Sequence, residues 1–368
     1  MTPDAEGAAI PLVVHDRGRE WTVSRAWPTD AAPGGRAAVL ELRTARSEDV
    51  RAGRWDERDG ARPGPWREDP RLPALAGVAR EGTVVSHRAG RRAVVRAADG
   101  SSFLKVVRPG RAPAVVERHE DAASFGEAFR MPRMRRDAAD EDAGVVRFEA
   151  LPGRTLHALG TDPGTDGARW ARVWDEWADA WCDLGGRGAG AGGHTTGPMG
   201  RQAAIRVHTA ADEADIVRRW AGHAARERGS AEAIHAASAR IARALGEGPA
   251  GRLVPAHRDL HDKQILYAPG EPLGLLDLDT ASLAEPALDL GNLRAHAALR
   301  AQQGLWPEGF AGTVGARVDA VADRVGAAPE RLAAYEDAAR FRLACLYLFR
   351  PRWRPLAERL LAGIVAGR

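Results

Sequence analysis

The chain has 368 residues, 44% of them apolar and 28% charged, which is the profile of a globular protein large enough for two lobes around a cleft. Its 53 basic side chains are balanced by 50 acids, and no Lys/Arg block with interleaved aromatics occurs, so nucleic acid is excluded as an expected partner. No apolar run approaches about 18 residues and the N-terminus has no basic-then-apolar leader pattern, so neither a membrane span nor a secretory signal is expected. Cys182 and Cys345 form no CxxC pair and no disulfide framework, which suits a cytoplasmic location. The basic side is almost all arginine. Lys105 and Lys263 are the only two lysines, and Asn292 is the single asparagine. A lysine that survives such a bias marks a place where a compact ammonium is needed and a guanidinium fork does not serve.

In chain order, residues 21–27 and 37–42 alternate apolar and polar positions about a Pro-Gly-Gly turn at 33–35, a β-hairpin pattern. Residues 46–72 are charged and rich in Pro and Gly, and predict a loop or linker. Short β-prone runs follow at 83–87, 93–97 and 103–107. The first two are joined by Arg88-Ala89-Gly90-Arg91-Arg92 and the second pair by an Asp99-Gly100 turn. Pro113 opens a helix, and 145–150 is a strand closed by Pro152-Gly153. From residue 166 the pattern becomes helical. Trp170, Val173, Trp174, Trp177 and Trp181 recur at three- and four-residue spacing, the mark of a helix-packing core. Residues 185–200 predict a flexible Gly-rich loop. Further helices are expected over 208–225, 230–246, 286–303, 313–325, 329–349 and 354–366, with a β-flavoured island at 252–280. The expected class is α+β. Residues 1–75 form an N-terminal extension, 76–152 a small β-rich lobe with one helix, and 153–368 a larger, mostly helical lobe.

The island carries the chemistry. A polar loop with His257, Arg258, Asp259, His261, Asp262, Lys263 and Gln264 leads into a strand at 265–267. A tight turn returns the chain into an apolar strand over 274–278, bearing Asp277 with Asp279 two residues on. Such a hairpin brings Asp259, Gln264 and Asp277 to one end. This set of oxygen donors suits Mg2+, and Asp259 can orient a hydroxyl or take its proton. If 277–279 is extended, Asp279 shares a face with Asp277 and joins the metal or binds substrate.

Three motifs stand in order here. They are His257-Arg258-Asp259-Leu260-His261-Asp262-Lys263-Gln264, Leu275-Leu276-Asp277 and Glu285-Pro286-Ala287-Leu288-Asp289-Leu290. Together they resemble the aminoglycoside phosphotransferase family, which has a bilobal protein-kinase-like fold. The resemblance implies Asp259 as base, with His257 and His261 around it in the catalytic motif. It further implies Asp277 and Gln264 as metal ligands, and Asp289 as a brace for the loop. Two positions depart from the family pattern. Gln264 replaces the usual Asn, as in the maltokinase-like branch, and Arg258 replaces the usual Gly, as in protein kinases.

A phosphotransferase of this kind needs a strand lysine on the nucleotide phosphates, paired with a helix glutamate. Lys105 lies in the apolar run 103–107. Glu120 is its expected partner and Glu117 the alternative. Phe148-Glu149-Ala150-Leu151 looks like the hinge that holds the base. Lys263 either touches a phosphate or substrate anion or is a solvated loop residue.

The function implied is transfer of the γ-phosphoryl of ATP or GTP, with Mg2+, to a small-molecule hydroxyl acceptor such as an antibiotic, a sugar or an amino alcohol. Asp259, Asp262, Asp279 and Glu285 would suit a cationic or polyhydroxylated acceptor. The alternatives are a peptide Ser/Thr kinase, for which residues 1–75 would serve in recognition, and a nucleotide-binding pseudokinase. Either a monomer or a homodimer is compatible with the sequence.

Overall fold

Alternation of inward apolar and outward charged side chains builds the first sheet of the computed structural model, which describes residues 9–29, 35–186, 206–228 and 230–367. Residues 33 and 34 of the expected turn, and 187–200 of the expected Gly-rich loop, lie outside the described residues. Strands β1 (Val13–Asp16), β2 (Arg19–Thr29), β3 (Ala37–Thr44), β4 (Ser47–Asp56) and β5 (Gly60–Pro63) form an antiparallel meander in sequence order. The β2–β3 pair is the predicted hairpin. The predicted linker over 46–72 is corrected, because it contains β4 and β5. β4 is buried on both faces, Val50 in one core and Trp55 in another, so no alternation shows there.

The first sheet does not stand apart. Trp21, Leu40, Leu42 and Trp55 share one core with Val217, Ile241, Phe341 and Leu348 from the C-terminal helices. On its other side, Val50 enters the core of the second sheet, and Asp49 accepts the Val84 N–H at 2.8 Å.

A short helix, α1 (Leu75–Val78), precedes the second sheet. Its strands are β6 (Gly82–Arg88), β7 (Arg92–Ala97) and β8 (Ser102–Val107), followed across α2 (Ala112–Asp121) by β9 (Met134–Arg135) and, after α3 (Ala138–Ala143), by β10 (Val145–Glu149). The spatial order is β6-β7-β8-β10-β9, so β8 is central. Leu104 and Val106 are buried on one face of β8. Lys105, opposite Val94 and Val146, therefore points from the other face.

The remainder is helical around a small β island. β11 (Arg154–Thr155) and α4 (Leu156–Gly160) lead to α5 (Gly167–Gly186), α6 (Ala210–Arg228) and α7 (Ala231–Gly246). Four short strands follow: β12 (Val254–Ala256), β13 (Ile265–Tyr267), β14 (Gly274–Leu275) and β15 (Ser282–Ala284). Helices α8 (Pro286–Gln302), α9 (Glu308–Val325), α10 (Pro329–Tyr347) and α11 (Arg354–Val365) complete the chain. The tryptophan stripe of α5 is core as predicted. Trp170 stacks on Phe310 at 4.6 Å and meets Trp306 edge-on at 4.9 Å. Trp174, Trp177 and Trp181 are also buried.

Candidate functional site

The β13–β14 hairpin pairs Ile265 with Leu275 and Leu266 with Gly274. Leu276 N–H donates to the Gln264 carbonyl at 2.9 Å, which sets Asp277 beside the end of loop 257–264. The strand then stops earlier than expected. Asp277 is left-handed, with φ 56° and ψ 51°, and 278–280 form one 3-10 turn. This corrects the expected strand over 274–278, so the spacing of Asp277 and Asp279 is that of a turn and not of a shared strand face. A non-glycine residue held there costs roughly 1–2 kcal/mol. Arg258 is a second such residue, with φ 69°. Strain of this kind persists only where the surroundings over-determine the backbone.

Those surroundings are buried hydrogen bonds. The Asp289 carboxylate, at the start of α8, accepts the N–H groups of His257 at 2.6 Å and Arg258 at 2.8 Å. His257 accepts the Asp259 N–H at Nδ1, 3.3 Å away, so its proton sits on Nε2, which faces the Leu276 carbonyl at 2.8 Å. Asn292 Nδ2 donates to the Leu260 carbonyl at 2.8 Å, and its Oδ1 accepts from Arg342. Gly291 lets α8 lie against α10 here, since a Cβ would meet Glu336 N at 2.6 Å. From behind, Arg300 forks onto Asp262 at 2.9 and 3.1 Å, and His157 Nδ1 lies 2.6 Å from the same carboxylate. Burial opposes the charge on Asp262. The hydrogen bond from His157 and the Arg300 guanidinium overcome it and hold the carboxyl far below the usual range.

Within this frame the Asp259 carboxylate stays 45% exposed, while His257 is fully buried. His261 Nε2 lies 4.0 Å from Asp259 Oδ2, and its ring stacks on His296 at 4.5 Å. Burial pushes His261 down to about 4, so the imidazole is neutral at pH 7. The Gln264 amide end lies 3.5 Å from His261 Nε2. Lys263 makes no side-chain hydrogen bond or ion pair among the described residues. Burial and the nearby Arg300, Arg25 and Arg350 lower its ammonium to about 8.

From β8, Lys105 Nζ bonds the Asp279 carboxylate and lies 3.8 Å from Asp277. Arg92, at the head of β7, approaches the same two acids at 3.7 and 4.0 Å. Burial works against ionisation of Asp277, but Lys105 and Arg92 outweigh it and hold the carboxyl below its ordinary value. The expected helix partner of Lys105 is corrected. Glu120 pairs with Arg136 at 3.0 Å and Glu117 with Arg206 at 3.6 Å, both on the outside of α2. His119 takes the inward position and feels the charges of Asp279 and Lys105. Its phase was readable, because 112, 115, 116 and 119 fall on one helical face.

In the linking segment, Glu149 is exposed and its N–H donates to the Arg133 carbonyl at 2.8 Å. Leu151 packs against Gly274, where a Cβ would lie 3.0 Å from its methyl group. Asn292, Arg300 and His157 were not singled out as loop supports. The rarity of asparagine was the one signal available for any of them.

No protein-family model and no curated protein matches the chain. Among solved structures it is similar to a glucosamine kinase, with 18% identity and a TM-score of 0.50, covering 100% of this chain and 96% of that one. The fold is protein-kinase-like. An aminoglycoside phosphotransferase from Streptomyces rimosus is also similar, with 22% identity and a TM-score of 0.48 over 75% of this chain and 96% of that one. A choline kinase from Streptococcus pneumoniae matches at 13% identity and a TM-score of 0.48, covering 77% of this chain and 92% of that one. No helix among the described residues is long and apolar enough to cross a membrane.

Proposed function

We propose that the chain is a small-molecule O-phosphotransferase that moves the γ-phosphoryl of a nucleoside triphosphate to a hydroxyl acceptor, with Asp259 as the base. The supporting observation is the contrast between Asp259 and its neighbours. Its carboxylate is open to the cleft, while His257, Asp289 and Asn292 lock the loop that carries it. Such a loop holds a carboxylate ready to orient an alcohol and take its proton as the bond to phosphorus forms. Lys105 is the candidate cation for the nucleotide phosphates. Glu149 and Leu151 fall in the segment that would hold the base.

The donor set fits a hard divalent cation. Asp277 and Gln264 supply oxygens, Asp279 adds a second carboxylate, and Asp277 is already kept ionised by its neighbours. Asp277 and Gln264 would hold Mg2+, with Asp279 as the further candidate. When bound, Mg2+ supplies neutralisation of phosphate charge.

The similar structure that covers the whole chain is a glucosamine kinase, which favours a small-molecule acceptor. The test is Asp259→Asn. ATP-dependent phosphorylation of a hydroxyl acceptor should fall by about 10²–10⁴, while Mg2+-nucleotide binding measured by calorimetry stays within about threefold. Full activity in that variant would refute the assignment.

A further inference from the structure

The chain between β5 and α1 reaches back to the turn that joins β6 and β7. Arg67, left-handed with φ 56°, donates to the Ala79 and Gly82 carbonyls at 2.9 Å and forks onto Asp49. Leu72 is fully buried in the core of the second sheet. Between these anchors stands Asp69, itself only 8% exposed. Its Oδ2 accepts the Gly90 N–H at 2.6 Å and lies 3.1 Å from Nε2 of the buried His87, and its Oδ1 accepts the Arg71 N–H at 2.9 Å. Bonds shielded from water in this way are stronger than the same bonds at a surface. The fit is close, because a Cβ on Gly90 would lie 3.0 Å from Arg71 Cδ.

The turn is Arg88-Ala89-Gly90-Arg91-Arg92. Its glycine N–H is taken by Asp69, and its Arg91 N–H by the Arg88 carbonyl at 3.0 Å. Those two amides are closed to a phosphate, so an anion at this turn meets side chains and not a backbone cradle. Arg88 packs over Trp27 at 5.1 Å. Arg92 instead approaches Asp279 at 3.7 Å and Asp277 at 4.0 Å, too far for hydrogen bonds, and its side chain is 44% exposed. Its N–H donors are thus placed but not engaged. In β7, Arg92 shares a face with Val94, and Val94 is opposite Lys105 in β8. The Arg92 and Lys105 side chains therefore leave the sheet on the same side, where both meet Asp279.

We propose that Asp69 is a positioning residue for the nucleotide: it holds the β6–β7 turn so that the Arg92 guanidinium meets a phosphate beside Lys105. This deepens the phosphotransferase reading and rests on it. Asp69 touches no substrate. It fixes Gly90, and Gly90 sets where β7 begins two residues on. A planar guanidinium fork matches a phosphate in a way that a single amide does not. The test is calorimetric binding to the full chain, with the Mg2+ complex of ATP or GTP, whichever the parent binds, and with the matching nucleoside, which carries no phosphate. Arg92→Met should weaken the triphosphate by about tenfold or more and the nucleoside by less than about twofold. Asp69→Ala should show the same split, with a loss of about three- to tenfold for the triphosphate. In the Arg92→Met background, Asp69→Ala should cost less than about twofold, because the turn then has no cation to present.

A purely structural role for Asp69 would weaken both ligands together and act equally in either background. Arg92→Met removes a half-exposed side chain that makes no hydrogen bond, so its thermal midpoint should stay near the parent's. Should Asp69→Ala not fold, the cycle is run with Asp69→Asn, which keeps the volume and gives up one of the two acceptor oxygens, and the same coupling is expected. Unchanged triphosphate affinity in Arg92→Met overturns the proposal. Additive losses in the double variant, or nucleoside affinity falling in step with the triphosphate, overturn it as well. A parent that binds neither ligand overturns the phosphotransferase reading itself.

Discussion

Arg300→Met tests whether loop 257–264 is held from behind by a buried ion pair. Asp262 is completely buried and Arg300 only 2% exposed. The substitution removes two charge-assisted bonds, at 2.9 and 3.1 Å, and leaves Asp262 with His157 alone. Each such bond contributes about 1.5–3 kcal/mol, and breaking a buried pair from one side costs about 3–5 kcal/mol. The Met stem fills much of the space of the Arg stem, so little cavity cost adds to this. The expected loss is therefore about 3–5 kcal/mol, read from urea unfolding followed by tryptophan fluorescence. The double variant Asp262→Asn/Arg300→Met removes both charges and should recover to within about 2 kcal/mol of the parent, since no unpaired charge remains. A loss below about 1 kcal/mol in Arg300→Met, or a double variant as costly as the sum of the singles, would refute the argument.

Two further outcomes follow from the same supports. Glu285 is buried and bound by Arg331 at 2.6 and 2.8 Å, by Tyr335 and by the Gly251 N–H. Burial opposes its charge, but these partners hold its carboxyl below the ordinary value. Its contribution is therefore present above the unfolded value of about 4.3 and is lost as pH falls through the lower folded value. Glu285→Gln should cost about 1–3 kcal/mol at pH 7, and the gap to the parent should close below about pH 4; a gap that stays constant with pH would refute this. Asn292→Ala strands the Leu260 carbonyl and the Arg342 guanidinium. It should lower stability by about 1–3 kcal/mol and lower kcat about tenfold, with nucleotide affinity unchanged; an unaltered kcat would remove Asn292 from the support of Asp259.

Periodicity made most of the fold legible. Strands over 82–107 and the helices from 167 onward appear near their expected bounds, although α8 is buried all round over 286–293 and β8 on both faces. The pattern failed where polar residues carry structure. β4 is buried on both faces, Val50 in one core and Trp55 in another, with charged residues between them, so no alternation shows and a core strand reads as a linker. The loop motif was legible because its residue types are adjacent in sequence. Its supports were not, since His157 and Arg300 meet Asp262 from 105 and 38 residues away.

The lysines show where composition stops. Scarcity located Lys105 and Lys263, yet a partner is a matter of three-dimensional phase. On α2 the buried face runs through Val115 and Val116, which turns His119 inward and leaves Glu120 beside Arg136. One residue of helical phase, about 100°, is enough to move a carboxylate out of reach of β8. The turn after β14 supplies the missing charge, because the left-handed Asp277 swings the chain so that Asp279 meets Lys105 of β8. A buried lysine must find a carboxylate. In this chain that need is met by the turn after β14, so the pair that steadies Lys105 also ties β8 of the second sheet to the β13–β14 hairpin.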